Sequence, residues 1–528
     1  MEHRSMNVPS RTCAAFACAL LMSAATNATP LPQWQTPWLL PFDLNHPQYP
    51  ANPDAYKTPP ASQQDTYDFA WQSFIALNWP WQQGGPGGQP DPNQQLAGIA
   101  NNTAPHPIVV WESYMEPEKA FTPPKYWPVD WGNPEFLNLQ RQPSPPCYSN
   151  SYVYGKPFAP GINQPYTNAN VPTGPLVDQN KEFVRVEVKL SQPYFQYIKQ
   201  FKYYDADNQV IAVDNYIDYA NQHDAAPNPA QGPHDDSSNF QPLPTGLEFY
   251  LRDLPLYARQ GITEIKAAWK VLKTEGPDAD IPGRYFRRVL QFPLPDGGLS
   301  EPTLMGLIGF HIHRVTPFGH LPSTFEHVDN VRLEKRFHDS LPLPAHPALN
   351  PGAESQYGAS ASPNYPNGYE VGGKTGEAGL IPSAFKQGDT LPTKADIKQV
   401  NVSRETPIPI DVQIANKKYQ WLLRDSVWSY YQLIGTQNKS LQVPNSSLGP
   451  GIPGAQHSNT ENLVNTTLET YTQKGFSCSR CHLNAFPHGV TVYPPYEKRF
   501  EDLHVMSFLL LNARSGREEN PTSGCAMP

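Results

Sequence analysis

Sixty-one of the 528 residues are proline, and this limits the fold more than any other feature of the chain. Proline has no backbone N–H and a φ fixed at about −65°, so it stops helices and sits in sheets only at edges or bulges. At more than twice the average share, it enforces short elements joined by long ordered loops. Charged residues are scarce, 16% against roughly 25% in typical domains. Core material is ample, with 11 Trp, 27 Tyr and 23 Phe. The expected class is α+β, an antiparallel, β-rich and loop-rich body with a few short helices. The formal charge of −9 gives no reason to expect nucleic acid or an anionic membrane as partner.

One string in this chain carries chemistry: Cys478-Ser479-Arg480-Cys481-His482. C-x-x-C-H is the attachment signature of a c-type haem. Two thiols so spaced can each form a thioether to one vinyl group, and the adjacent His482 can then give the iron an imidazole ligand. The chain's own Cys and His content yields about 0.002 such strings by chance. A zinc site needs a second ligand pair at matching spacing, and no second C-x-x-C occurs. A thioredoxin-type C-x-x-C opens a helix after a strand, whereas the text before Cys478 reads as helix. The expected cofactor is one covalent haem c, with Cys478 and Cys481 as attachment points and His482 as proximal iron ligand.

The other end of the chain agrees with an exported haem protein. Arg4 and Arg11 flank the start of an apolar run from Cys13 to Ala25, followed by Thr26-Asn27-Ala28 before Thr29. That order of charge, apolar core and small residues predicts a cleaved signal peptide over 1–28, and a periplasmic or secreted location. No stretch is long and apolar enough to predict a transmembrane segment. With Cys13 and Cys18 removed and two thiols on the haem, Cys147 and Cys525 are left either to pair as a disulfide or to remain two thiols.

Between the ends, periodicity picks out a series of short elements. Asp65-Thr66 caps an expected helix with Tyr67, Ala70, Trp71, Phe74 and Asn78 on one stripe, ended by Pro80. Residues 107–112 read as a short buried strand. Residues 183–190 alternate Val184, Val186, Val188 and Leu190 against Arg185, Glu187 and Lys189, the pattern of a half-buried strand. A short helix is expected over 194–201 and a polar loop over 221–244. Residues 261–272 read as a strand turning into a bent or helical piece. Further strands are expected over 284–292 and 303–316, and helices over 417–433, 460–473 and 496–514. The stretch 342–392 is rich in Gly, Pro, Ser, Ala and Asn and reads as a surface excursion. Only 46 residues (483–528) follow His482, too few to wrap a haem alone. The expectation is a body over 29–454 and a small helical C-terminal haem region over 455–528 packed on it.

Several phrases give a family resemblance. They are Ala70-Trp-Gln-Ser-Phe-Ile-Ala-Leu-Asn-Trp-Pro80, Ile265-Lys-Ala-Ala-Trp-Lys270, Gly306-Leu-Ile-Gly-Phe-His-Ile312, Thr324-Phe-Glu-His-Val-Asp-Asn330 and Asn465-Thr-Thr-Leu-Glu-Thr-Tyr471. Together they resemble a group of large secreted bacterial proteins known only as cytochrome c family. The resemblance implies haem attachment at Cys478 and Cys481 and ligation by His482. It implies no particular reaction. Such proteins tend to read Asp-Phe-Ser-Phe-Leu where this chain has Val505-Met-Ser-Phe-Leu509, which makes Met506 a local substitution.

The sixth iron position has several candidates. Met506 offers a thioether that stabilises reduced iron, and His311, His488 or His504 a second imidazole; an empty or water-filled position would permit peroxide or oxygen chemistry. His311 and His313 share one strand face, and His320, Glu326, His327 and Asp329 follow. That cluster reads either as a distal haem wall or second metal site, or as a strand with a polar outer face; for a metal, the missing ligand spacing favours the strand. The function expected is single-electron transfer with a redox partner protein or a small-molecule electron donor or acceptor. The alternative is a haem-dependent peroxidase or oxygenase whose substrate cavity lies in the N-terminal body.

Overall fold

The computed structural model describes residues 63–94, 106–124, 176–223, 240–290, 300–331, 348–349, 370–375, 402–437, 463–469, 478, 487–488, 507–510 and 513, with short breaks inside several of these ranges. All of them belong to one compact unit, Pro37–Pro528. The described part is an antiparallel sheet with a few helices. Its elements are α1 (Gln63–Leu77), α2 (Pro117–Ala120), β1 (Arg185–Leu190), α3 (Gln192–Gln200), α4 (Ala206–His223), β2 (Thr263–Val271), β3 (Arg287–Leu290), β4 (Thr303–Thr316), β5 (Gly319–His327), a hairpin of β6 (Glu370–Val371) and β7 (Lys374–Thr375), α5 (Ile410–Leu422) and β8 (Tyr431–Thr436).

The sheet runs in the order β1-β2-β4-β5-β8, with β3 paired to the start of β4. β4 is its spine, and the alternation of side chains along it defines two faces. Phe310 and Ile312 point to one face, and Gly309, His311 and His313 to the other. On the first face α1 lays down aromatic rings. Phe74 stacks on Phe325 at 4.3 Å and meets Phe310 edge-on at 5.7 Å. Trp71 stacks on Tyr419 of α5 at 5.3 Å. Such pairs contribute about 0.5–1.5 kcal/mol beyond the burial of their area. Asn416 of α5 locks this layer to the edge of the sheet. It accepts from Trp71 Nε1 and Leu433 N and donates to Leu433 O. Leu433 is the partner of Phe325, where the β5–β8 register shifts, so the amide steadies an irregular ladder.

On the second face α3 and α4 cover β1 and the end of β2. Val188, Leu190, Tyr194, Tyr203, Val213 and Val315 share one core cluster with Leu509, Leu510 and Ala513 from the C-terminal part. Both faces of the sheet are therefore buried.

That burial corrects the expectation for β1. Arg185, Glu187 and Lys189 do not face water: each is less than 10% exposed. Trp269 Nε1 donates to Glu187, and Lys189 pairs with Glu116 and Glu187, so the charges of Glu187 and Lys189 are paired inside. Other segments differ as well. Residues 110–113 form a 3-10 turn, not a strand. β2 continues as strand to Val271, bent by a register shift at Ala268/Trp269 rather than ending in a helix. α1 begins before Asp65 and Thr66, which lie inside it rather than capping it. The helix expected over 417–433 is α5, which ends eleven residues earlier and is followed by a 3-10 turn and β8. α4 occupies sequence for which no helix was expected. No helix among the described residues is long and apolar enough to cross a membrane.

Candidate functional site

Across the second face lies a short segment from the C-terminal part, Leu463–Glu469. Antiparallel partners point to the same side of a sheet, so the pairings Gly435↔Thr324, Thr324↔His311 and His311↔Lys266 make one row across β8, β5, β4 and β2. The segment follows that row. Leu463 fills the space above Gly435. Asn465 Nδ2 donates to Thr324 Oγ1 and Phe325 O, both at 2.8 Å. Thr467 packs over Gly309, where an added methyl group would collide with its Oγ1. Glu469 ends the crossing beside His311, with Oε2 3.3 Å from Nε2. The strands supply two glycines where the segment needs close approach.

A buried carboxylate fixes the middle of the crossing. Glu326 of β5 is fully buried and accepts from Thr466 N at 2.6 Å, Thr466 Oγ1 at 2.7 Å and the Arg404 guanidinium. Three distant parts of the chain thus meet at one charge. Removing one member of such a pair leaves the other charge buried, at a cost of about 3–5 kcal/mol.

The segment is a turn, not the expected helix over 460–473. Asn465 Oδ1 accepts from Thr467 N and Oγ1, and Glu469 Oε2 accepts from Asn465 N at 2.8 Å. The side chains close the turn locally, as in helix caps. Burial pushes the Glu469 carboxyl up, but the His311 ring, Lys266 and the Asn465 N–H together outweigh it and hold the group below the usual carboxylate range.

Cys478 returns to the start of this crossing. It is half-exposed, and its Sγ lies 3.9 Å from Leu463 O. Of the expected haem-site residues, Cys478 and His311 are described. Cys481, His482, Met506 and His504 lie outside the described residues, as do Cys147, Cys525 and segment 1–28. The chemistry of the two described members, a part-exposed thiol and a largely buried imidazole, is that of groups a c-type haem uses. The His311 imidazole is on the face that the crossing segment overlies, and its Nε2 is buried 3.3 Å from Glu469 Oε2. His488 is anchored by its backbone, whose N–H donates to Gln209 Oε1 at 3.0 Å.

The remaining histidines of the cluster separate onto the two faces. His313 and His320 stack, with Nε2 and Nδ1 3.0 Å apart. His313 lies 3.8 Å from Glu264, which accepts from Ser507 Oγ at 2.8 Å, and Ser507 in turn meets the Tyr194 hydroxyl at 2.7 Å. This chain fastens the Ser507–Ala513 part to β2 and α3. His327 is on the opposite face, stacked on Tyr285 at 4.0 Å and bonded to Arg284 O and Asp329 N. Burial drives its pKa well below that of free imidazole. Burial also lifts Asp329 to about 6 against the pull of Arg284, 2.7 Å away. Among the described residues no three His, Cys, Asp or Glu side chains are grouped so as to hold a metal ion.

Sequence reading did not single out Glu469, Arg404, Glu264, Tyr194 or Ser507. Only Asn465-Thr-Thr-x-Glu469 carried a local signal, that of a side-chain-closed turn; the others acquire partners 78 to 313 residues away. The five phrases behind the family resemblance do converge in space. They form the end of α1, β2, β4, β5 and the crossing segment, which pack on one another through Phe74, Phe310, Phe325, Gly309 and Thr467. The chain matches no protein-family model, no characterised protein and no solved structure.

Proposed function

We propose that this chain is an exported monohaem c-type protein that moves single electrons through a haem tethered at Cys478 and Cys481 and ligated by His482. The observation that carries the proposal is the string Cys478-Ser-Arg-Cys-His482, whose residue types and spacing are those of haem attachment. Bound there, the haem supplies an iron centre that gains and loses one electron, with a potential set by its axial ligands and surroundings. The chain's own residues do the rest. Cys478 and Cys481 would hold the group covalently, and His482 would supply an imidazole ligand to its iron. His311 offers a ring nitrogen from the sheet side, with the Glu469 carboxylate 3.3 Å away. Partners are a redox protein or a small electron donor or acceptor.

A second reading is a haem-dependent peroxidase or oxygenase. One observation favours it: an imidazole and a carboxylate stand 3.3 Å apart on the sheet, the pair of groups that acid–base steps on peroxide or oxygen require. Absorption spectra of the reduced protein with and without carbon monoxide separate the two. Insensitivity to the gas supports electron transfer, and a shifted Soret band supports an open site. Acid–acetone extraction tests the shared premise. The colour should stay with the protein, and Cys478→Ser with Cys481→Ser should release or abolish it. Colour extracted from the unaltered protein would sink both readings.

A further inference from the structure

The crossing segment and the attachment thiol are linked by a contact that gives the sheet a second task. Cys478 Sγ lies against the carbonyl of Leu463, the first residue of the crossing, and Leu463 is seated over Gly435. Three residues on, Thr466 is held by the Glu326 carboxylate through both its N–H and its hydroxyl. Thr467 fits only because residue 309 has no side chain. We infer that Gly309 and Glu326 are positioning residues for the attachment motif: the folded sheet holds Leu463–Glu469 as a splint, and the splint fixes where the Cys478 thiol is presented. This deepens the proposed function, because it assigns the placement of the thiol to residues of β4 and β5 that need not touch a haem.

The physical grounds are independent of any bound group. The Glu326 site is fully buried and its bonds are charge-assisted, so it holds one geometry rather than a set of them. Gly309 has ordinary strand conformation, and alanine there suits the strand but not the segment above it. Leu463 and Cys478 are fifteen positions apart, yet the chain folds back to bring them together. Loosening the splint should leave the body standing and free the thiol.

The test is the alkylation rate of Cys478 by N-ethylmaleimide in the full-length chain bearing Cys481→Ser, followed on the Cys478 peptide by mass spectrometry. Gly309→Ala should accelerate labelling about tenfold by displacing Thr467. Thr466→Val, which keeps the shape and removes the hydroxyl donor, should accelerate it severalfold, and Thr466→Ser should restore the parent rate. Circular dichroism melts of these variants should keep a single cooperative transition. Rates within twofold of the parent for both Gly309→Ala and Thr466→Val would overturn the inference. So would acceleration accompanied by loss of the cooperative transition, because the effect would then be general unfolding. Failure to find haem on the unaltered protein would defeat the proposed function while leaving this measurement, made without haem, to stand or fall by itself.

Discussion

At His311, chemistry and packing make different demands on one side chain. The ring lies between Thr324 and Lys266 in the row across the sheet, and Glu469 sits against its Nε2. An iron ligand must turn that nitrogen away from the carboxylate; a proton-handling residue must keep it there. The ferric spectrum distinguishes the two. If His311 fills the sixth position, His311→Ala should convert low-spin iron to high-spin, and Met506→Ala should change nothing. If Met506 fills it, the sulfur–iron charge-transfer band should vanish in Met506→Ala alone. His106 gives a second residue-scale prediction. Its Nδ1 accepts from Arg287 N at 3.1 Å, and burial, with Arg288 and Arg287 nearby, lowers its pKa from 6.5 to about 4. Between those values the unfolded chain takes up a proton that the folded chain refuses, so stability falls as pH falls through this window. His106→Gln should reduce that slope by up to about 1.4 kcal/mol per pH unit, measured by urea denaturation from pH 4.5 to 7. An unchanged slope would mean that the ring takes up its proton as readily in the fold as in the unfolded chain.

Elements differ in how much of themselves they show in sequence. β4 was legible to the residue, because Gly306-Leu-Ile-Gly-Phe-His-Ile is apolar, β-branched and free of proline. α4 was hidden: its buried positions are Ala206, Gln209, Ala212, Val213 and Tyr216, while Ile211 is 58% exposed. A buried amide and an exposed isoleucine blur the helical stripe. α5 inverts the pattern further, exposing Ile410, Ile414 and Trp421 and burying Asn416, because the amide is needed at the irregular β8 ladder. β1 was read with the right period and the wrong environment, since alternation shows which residues share a face but not what covers the other face. For the candidate site, the C-x-x-C-H string stood out in the sequence, with Cys478 alone of its named residues described, and the Glu326–Arg404–Thr466 junction did not stand out, as its members are local strangers. The α1 layer allows a sharp test. Phe74 is fully buried and touches Phe310, Phe325, Trp428 and Tyr431. Phe74→Ala should cost about 3–5 kcal/mol in urea denaturation. A loss below about 1 kcal/mol would show that the layer closes over the gap.

For the molecule as a whole, the C-terminal part depends on surfaces supplied from far away in the chain. Ser507 bonds to Glu264 and Tyr194, Gln209 donates to Leu510 O at 3.0 Å, and Asn465 is held by β5. A fragment of residues 455–528 lacks every one of these partners. It should bind haem poorly or give a heterogeneous spectrum, and a clean spectrum matching that of the full chain would show the fragment to be self-sufficient. The splint also fixes an order of events. Its docking site is not complete until β8 has joined β5, and its bonds to Glu326 and Thr324 close loops of 140 and 141 residues. Contacts so distant in sequence form late and slowly. The thiol at Cys478 therefore spends the early part of folding unsheltered, open to oxidation or to a capturing enzyme. In stopped-flow refolding, tryptophan fluorescence should settle before the maleimide reaction of Cys478 slows to its folded-state rate, and that interval is the time during which covalent chemistry at the cysteine competes with its docking against Leu463.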